Sequence, residues 1–113
     1  MATRYFISLP DPEKARGEEG IGFRSHSAPG FAEELQDALR NGGVFRAWLA
    51  RQDDPDEVDP KLAAVDPDAV VTGEMSDLHV ALQAVTALPG DVIKHRLRLL
   101  AGQHWQLRDV RAA

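Results

Sequence analysis

The chain has 113 residues, of which 43% are hydrophobic and 27% are charged. This balance is typical of a single soluble globular domain spanning residues 1–113, and it excludes disorder of the whole chain. Cysteine is absent, which excludes disulfide bonds and thiolate metal sites. The apolar stretch near the N-terminus is too short for a signal-peptide core or a membrane span. We therefore expect a cytoplasmic protein with no membrane partner.

The net charge of −5 is distributed unevenly along the chain. Residues 1–50 carry six Lys or Arg and seven Asp or Glu, residues 51–77 carry two and nine, and residues 78–113 carry five and two. The three segments are therefore −1, −7 and +3. The overall sign disfavours nucleic acid as a partner, although a local basic strip is compatible with it.

The first predicted element is a short N-terminal strand. RYFISL, residues 4–9, is rich in β-forming side chains, and the PDP that follows cannot continue a ladder. The polar stretch EKARGEEG, residues 13–20, is predicted to be a loop. Residues 21–27 are either a second strand or an extended lead-in to the next element.

An amphipathic helix follows and gives the strongest local signal. In SAPGFAEELQDALRNGG, Phe31, Leu35 and Leu39 recur at i, i+4 and i+8, while the acidic and amide side chains fall on the other side. Ser27 or Pro29 supplies a start, and an Asn-Gly pair supplies a stop. VFRAWLARQ then predicts a second helix after a tight break, with its large apolar side chains on one face.

The stretch RQDDPDEVDPKLAAVDPDAVV, residues 51–71, contains seven acidic residues and three Asp-Pro steps. Each proline removes a backbone donor and disfavours helix at the aspartate before it, so a continuous helix or central strand is excluded. Asp54 and Asp56 have the first spacing of a calcium-binding loop, but Val58 occupies the next ligand position and the required glycine is missing. We interpret residues 51–68 as a solvated acidic connector within the domain.

The connector is the predicted partner-binding surface. Its carboxylates would attract a basic protein over about one Debye length, roughly 8–10 Å at physiological salt. The candidate residues are Asp53, Asp54, Asp56, Glu57 and Asp59.

The last third of the chain supports two interpretations. LHVALQAVTAL and VIKHRLRLL fit both a strand and a helical stripe, whereas the alternation in GQHWQLRDV is typical of a strand. We favour strands throughout, which predicts an α+β fold: a short N-terminal strand, one or two amphipathic helices, then an antiparallel β-meander. If residues 92–101 are helical instead, the order becomes that of a ferredoxin-like βαββαβ fold.

The segment HRLRLLAGQHWQLRDV resembles the last hairpin of nuclear transport factor two-like (cystatin-like) proteins. In that family a strand, a glycine turn and Trp-x-hydrophobic-x-Asp-Val end a curved sheet. The resemblance covers about the last quarter of the chain and implies a cone-shaped α+β fold with a pocket between helices and sheet. The N-terminal strand departs from the family's helix-first order, and no family active-site residue is matched.

No catalytic, metal-binding or cofactor-binding residue is predicted. The four histidines are too far apart for the paired or clustered ligands of a zinc site. Neighbouring residues of a strand point to opposite faces, so His26 and its adjacent serines are not a catalytic dyad. The chain also has no Gly-x-Ser-x-Gly elbow and no Gly-rich phosphate loop.

Two further candidate sites follow, the first from the strand interpretation and the second from the family resemblance. A basic strand face would bind anions, or would simply be a solvated outer surface; it consists of Lys94, Arg96, Arg98 and Arg108. A small-molecule pocket between helices and sheet would be lined by Phe45, Trp48, His95 and Trp105.

The favoured function is a non-catalytic protein-interaction or inhibitor-like module that uses these acidic and basic surfaces. One alternative is a pocket protein or enzyme of the cone-shaped type. The other is a protein that binds phosphate or nucleic acid through the basic face. Homodimerisation through the sheet is compatible with all three.

Overall fold

The computed structural model describes residues 2–113, which form one sheet, three α-helices and three short 3-10 turns. The strands are β1 (Thr3–Leu9), β2 (Val70–Ser76), β3 (His79–Thr86) and β4 (Gln106–Ala112). The helices are α1 (Ala28–Arg40), α2 (Gly43–Leu49) and α3 (Gly90–Ala101). The 3-10 turns are Pro12–Lys14, Pro55–Glu57 and Pro60–Ala63.

The sheet has the strand order β2-β3-β1-β4, and every neighbouring pair is antiparallel. With α1 after β1 and α3 between β3 and β4, this is the βαββαβ order of the ferredoxin-like fold. The α+β class and the short N-terminal strand are therefore confirmed.

The segment 92–101 is the main correction to the sequence analysis, because it belongs to helix α3 and not to a strand. Ile93, Leu97 and Leu100 form a helical stripe that is buried against the rest of the core. Pro89 precedes the helix, and Gly102, at φ +64°, ends it in a conformation that favours glycine. The β2–β3 hairpin is therefore followed by a helix, which interrupts the predicted meander.

The same correction affects the segment on which the family resemblance rests. HRLRLLAGQHWQLRDV forms the second half of α3, a turn and most of β4, and not two paired strands. Membership in the nuclear transport factor two-like family stays a prediction, and the hairpin from which it started is absent.

Both predicted helices are confirmed; α1 has the predicted start and stop, whereas α2 ends at Leu49 and not at Gln52. The Ser27 side chain accepts a hydrogen bond from the Gly30 backbone N–H at 3.2 Å and caps α1, as its position before the apolar stripe predicts. Phe31, Leu35 and Leu39 are buried. The stripe therefore fixes α1 against the sheet, and α2 follows it after a break at Asn41.

The core lies on one face of the sheet. Alternate residues of the central strands, such as Tyr5 and Ile7 on β1 and Val80 and Leu82 on β3, are buried in the same cluster as the apolar residues of α1 and α3. No helix formed by residues 2–113 packs on the other face of the sheet. Of the described helices, none is long and apolar enough to cross a membrane.

Candidate functional site

The face of the sheet opposite the helices is the first candidate site, and we call it the open face. Paired residues of an antiparallel sheet point to the same side, so the register assigns its rows. The central row contains Thr72, Gln83, Phe6 and Asp109. The flanking rows are Val70, Val85, Arg4 and Arg111 on one side and Glu74, Ala81, Ser8 and Gln106 on the other.

A groove of about 510 Å³ crosses one end of the open face. Phe6 and Ala81 line it, together with Pro10 and the hairpin residues Leu78 and His79. Leu78 is 88% exposed, because the turn at Asp77 between β2 and β3 projects it away from the core. Apolar side chains thus stand free in solvent at a concave part of the sheet.

Charge on the open face is concentrated on its β1–β4 side. The Arg111 guanidinium donates to the Asp109 carboxylate at 2.7 Å and lies 5.6 Å from the centre of the Phe6 ring. The hydrogen bonds from Arg111 and from the Val110 backbone N–H lower the pKa of the Asp109 carboxyl. Arg4 stands opposite Arg111 in the register.

Arg108 projects from the same edge of the sheet. Its Nη1 donates to Gln106 Oε1 at 2.8 Å, and both residues line the groove. The carboxylates Glu74 and Asp77 lie at the opposite edge, on β2 and its turn. The open face is therefore basic along β1 and β4 and acidic along β2.

The predicted basic strand face does not exist, because three of its four residues lie on a helix. Lys94 and Arg98 are exposed and one turn apart on α3, whereas Arg108 lies on β4 at the open face. Arg96 is fully buried. The period-two alternation that predicted one cationic row therefore has no counterpart in the structure.

The buried Arg96 ties α3 to two other segments, α1 and the connector, through three of their backbone carbonyls. Its Nε donates to Ala38 O at 3.1 Å, Nη1 to Leu62 O at 2.6 Å and Nη2 to Ala64 O at 2.8 Å. Its guanidinium also lies 5.2 Å from the centre of the Phe45 ring. Burial lowers the pKa of Arg96, and the three carbonyl dipoles compensate the buried charge. Arg96 is thus a structural clamp and is not available to an external anion.

The acidic connector lies on the helix side of the molecule. Its second 3-10 turn, Pro60–Ala63, contacts α2 and α3. Val58 and Leu62 are half-buried, whereas Val65 is exposed. All five predicted partner-binding carboxylates face solvent: Asp53, Asp54, Asp56, Glu57 and Asp59.

Asp66 fastens the end of the connector to the sheet. Its carboxylate accepts hydrogen bonds from Thr86 Oγ1 at 2.7 Å and from the Ala87 backbone N–H at 3.0 Å. The bonds from Ala87 and Thr86 lower the pKa of Asp66. Its own backbone N–H donates to Leu39 O at 2.8 Å. The connector is therefore held at its end by polar bonds while its acidic side chains remain wet.

The predicted pocket residues are brought together in part. The rings of Trp48 and His95 meet edge to face with centroids 4.5 Å apart, and Phe45 lies 5.6 Å from Trp48 and 5.9 Å from His95. Trp105 is not part of this group; it packs against the core at the start of β4, with its Nε1 donating to Gly102 O at 3.0 Å. The aromatic cluster therefore belongs to the α2–α3 contact and not to the sheet.

A cavity of about 320 Å³ opens beside this cluster, and we call it the Trp48–His95 pocket. It is lined by Trp48, His95, Arg98, Leu99, Glu18 and Ile21. The sequence pattern did not predict the contribution of Ile21 and Glu18, which come from the loop before α1. An isolated isoleucine in a glycine-rich polar loop was the one signal available for them.

Comparisons with protein families, with curated proteins and with solved structures find no match to this chain. Among residues 2–113 no three His, Asp or Glu side chains are grouped as metal ligands. The two concave surfaces above are therefore the features from which a function is inferred.

Proposed function

We propose that this protein is a non-catalytic protein-interaction module that binds its partner on the open face of the sheet. The observation that carries the proposal is the four-stranded sheet covered by helices on one face only, with apolar side chains on the other. The molecule measures 42 × 33 × 19 Å, and the short axis accommodates one sheet and one helix layer. A partner would supply the missing third layer.

The open face combines apolar and polar side chains. Antiparallel sheets commonly present polar side chains to water, whereas here Phe6 of the central row and Ala81 and Val85 of the flanking rows interrupt the polar surface of β1 and β3. Val70 on β2 is 46% exposed, and Leu78 stands at the rim. Burying one such large side chain contributes about 1.5–3 kcal/mol, so a partner that covers these side chains gains binding energy.

Charge identifies the chemistry of the partner. Arg4, Arg108 and Arg111 outnumber the single carboxylate of Asp109 along β1 and β4. Apolar residues flanked by Asp or Glu would cover Phe6 and pair with these guanidinium groups. The open face has one aromatic side chain, Phe6, and the chain is net negative, so stacked nucleic-acid bases are the weaker fit.

The acidic connector has a different role in this proposal from the one that the sequence predicts. Residues 51–68 contain two basic and seven acidic residues, a net charge of −5, and they lie on the helix side. The molecule is therefore negative on the helix side and positive along β1 and β4 of the open face. This separation of charge turns the basic edge of the open face towards an acidic partner during diffusional encounter.

Site-specific photo-crosslinking in cells tests the proposal. With p-benzoylphenylalanine in place of Leu78, we expect one dominant adduct; in place of Lys94, an exposed residue of α3, we expect none. The mass of the adduct distinguishes another protein from a second 12.4 kDa copy of this chain. Similar adduct patterns from the two positions would contradict the proposal.

A matched pair of charge reversals tests the chemistry of the partner. Arg4→Glu should reduce the Leu78 adduct about tenfold or more, because it places like charges across the interface. Arg46→Glu, on the exposed side of α2, changes the net charge equally and should leave the adduct yield unchanged. Equal losses of adduct yield from both variants would show that binding depends on the net charge of the protein and not on the charge of the open face.

A further inference from the structure

The Trp48–His95 pocket is independent of the open face, since it lies on the helix side between α2, α3 and the loop before α1. Residues 95, 98 and 99 of α3 form its floor, at the i, i+3 and i+4 spacing that places them on one side of a helix. The buried Ile21 and the half-buried Trp48 form its apolar walls, next to Leu99, which is also buried. The volume of about 320 Å³ is at the small end of ligand pockets, which span about 300–1,000 Å³.

His95 gives the pocket an unpaired polar group. Its side chain is only 8% exposed, and its Nδ1 is enclosed with no hydrogen-bond partner within residues 2–113. A buried N–H without an acceptor costs about 1–3 kcal/mol, so the proton of the neutral ring is favoured on Nε2. Because Nδ1 is enclosed, the accessible edge of the ring is the one that carries Nε2. This edge offers the pocket a hydrogen-bond donor.

Arg98 offers a second donor at the rim. It is exposed and forms no salt bridge with any carboxylate of residues 2–113. The one acidic residue at the pocket, Glu18, is already engaged, because Arg51 Nη1 donates to its Oε2 at 3.0 Å. Arg51 Nη2 also donates to Glu19 O at 2.7 Å, which ties the loop to the end of α2. The pocket therefore presents donors and a positive charge to whatever enters it.

We propose that the Trp48–His95 pocket binds a small carboxylic acid with a flat apolar body. The body packs against Trp48, Ile21 and Leu99, and the carboxylate accepts hydrogen bonds from Arg98 and from His95 Nε2. A guanidinium–carboxylate pair is the stronger of these two contacts, because both groups are charged. The walls set the size of the ligand, and the two donors set its charge.

The electrostatics of His95 are consistent with this ligand. Burial, and then the charges of Arg96 and Arg98, lower the pKa of His95, so the ring is neutral at pH 7. A neutral His95 has one proton to donate, and Arg98 then carries the charge that selects an anion. Glu18 does not cancel this charge, since it is paired with Arg51.

Calorimetry and ¹H–¹⁵N NMR with three probes of nearly equal shape test the proposal: phenylacetate, neutral phenylacetamide and cationic phenethylamine. We expect phenylacetate to shift the Trp48 Nε1–H and His95 ring signals saturably. We also expect it to bind at least about tenfold more tightly than phenylacetamide, because the amide gives up the charged pair with Arg98. Absence of a saturable shift with phenylacetate, or equal affinity for acid and amide, would overturn the proposal.

Two exposed residues of α3 provide the matched variants, so loss of folding does not confuse the result. Arg98→Gln should abolish the preference for the acid over the amide, whereas Lys94→Gln, one turn away and outside the pocket, should preserve it. His95→Gln should weaken phenylacetate binding and leave the acid-over-amide preference in place. Equal effects of Arg98→Gln and Lys94→Gln would refute the assignment of Arg98 as the carboxylate donor.

Discussion

The environment of Arg96 was predicted wrongly because of the residues on either side of it in the sequence. Between Lys94 and Arg98 it completes a period-two row of cations, which is the pattern of a solvated strand face. The structure encloses it against three carbonyls from α1 and the connector. A sequence pattern cannot distinguish an exposed arginine of a strand face from this buried one, because the carbonyl acceptors belong to segments more than thirty residues away.

We predict that Arg96→Met destabilises the protein by about 3 kcal/mol in urea unfolding. Methionine fills a similar volume, but it leaves the buried Ala38 carbonyl and the part-buried Leu62 and Ala64 carbonyls without donors. A buried unsatisfied group costs about 1–3 kcal/mol before relaxation, and the part-buried ones cost less because water reaches them. Arg98→Met, two residues away and exposed, should change the unfolding free energy by no more than about 0.5 kcal/mol. Arg96→Lys should not restore stability, since one ammonium group cannot reproduce the planar fork of guanidinium donors. An Arg96→Met protein as stable as Arg98→Met would contradict the clamp.

His95 makes stability depend on pH in one direction. Burial and the neighbouring Arg96 and Arg98 lower the pKa of His95 in the folded protein below its ordinary value of 6.5. As pH falls, His95 therefore takes up a proton in the unfolded chain before it does so in the folded protein. The unfolding free energy should decrease from about pH 7 downwards, as the pH passes 6.5 and then the lower pKa of the folded state. In His95→Gln this decrease should be smaller, as measured by urea unfolding between pH 5 and pH 8. A wild-type curve that rises towards pH 5 would show that the shift has the opposite sign.

Among the elements, helix α1 was the most predictable. Helix α1 has an apolar repeat at i, i+4 and i+8, a Ser27 cap and a polar stop, so local propensity and burial point to the same structure. Segment 92–101 has both a period-two and a helical apolar pattern, and its type is decided by what it packs against. Burial of Val92, Ile93 and Leu97 on one side favours the helix. This is information about tertiary contacts that the segment itself does not contain.

The local structure of the connector was predictable from the sequence, but its attachment to the sheet was not. Three Asp-Pro steps predict short turns and exposed carboxylates, and two of the prolines do begin 3-10 turns. Asp66, which precedes the third proline, is different because its carboxylate receives hydrogen bonds from Thr86 and Ala87. Nothing local separates Asp66 from the exposed aspartates, since its partners lie twenty residues further along the chain.

Removing this attachment should destabilise the protein in a way that the other aspartates do not. We predict that Asp66→Ala lowers the unfolding free energy by about 1–3 kcal/mol at pH 7, because the Ala87 backbone N–H and the Thr86 hydroxyl lose their acceptor. Asp68→Ala, an exposed neighbour, serves as control and should have little effect. The pKa of Asp66 is lowered, so its contribution is present above the ordinary carboxyl pKa and is lost as pH falls through the lower folded value. Equal destabilisation by the two variants would contradict the anchoring role.

At the scale of the whole molecule, the ferredoxin-like order explains why one face of the sheet is free. Helices α1 and α3 pack on the same face of the sheet, and the connector and α2 pack on that side of the molecule too. The sequence RYFISL does not predict which face is free. Successive side chains of a strand point to opposite faces of the sheet, and this pattern gives no information on which face the helices cover. Phe6 lies on the open face, between Tyr5 and Ile7, which are buried in the core. The functional proposal depends on that assignment.

Hydroxyl-radical footprinting of the open face in cell extract, compared with the purified protein, tests this central claim most directly. Leu78 and Phe6 are the reporters, and the exposed His26 and His104 on other surfaces are the controls. If a partner covers the open face, oxidation of Leu78 and Phe6 should fall several-fold in extract, while that of the two histidines stays unchanged. Oxidation of all four at the same rates as in the purified protein would contradict the account.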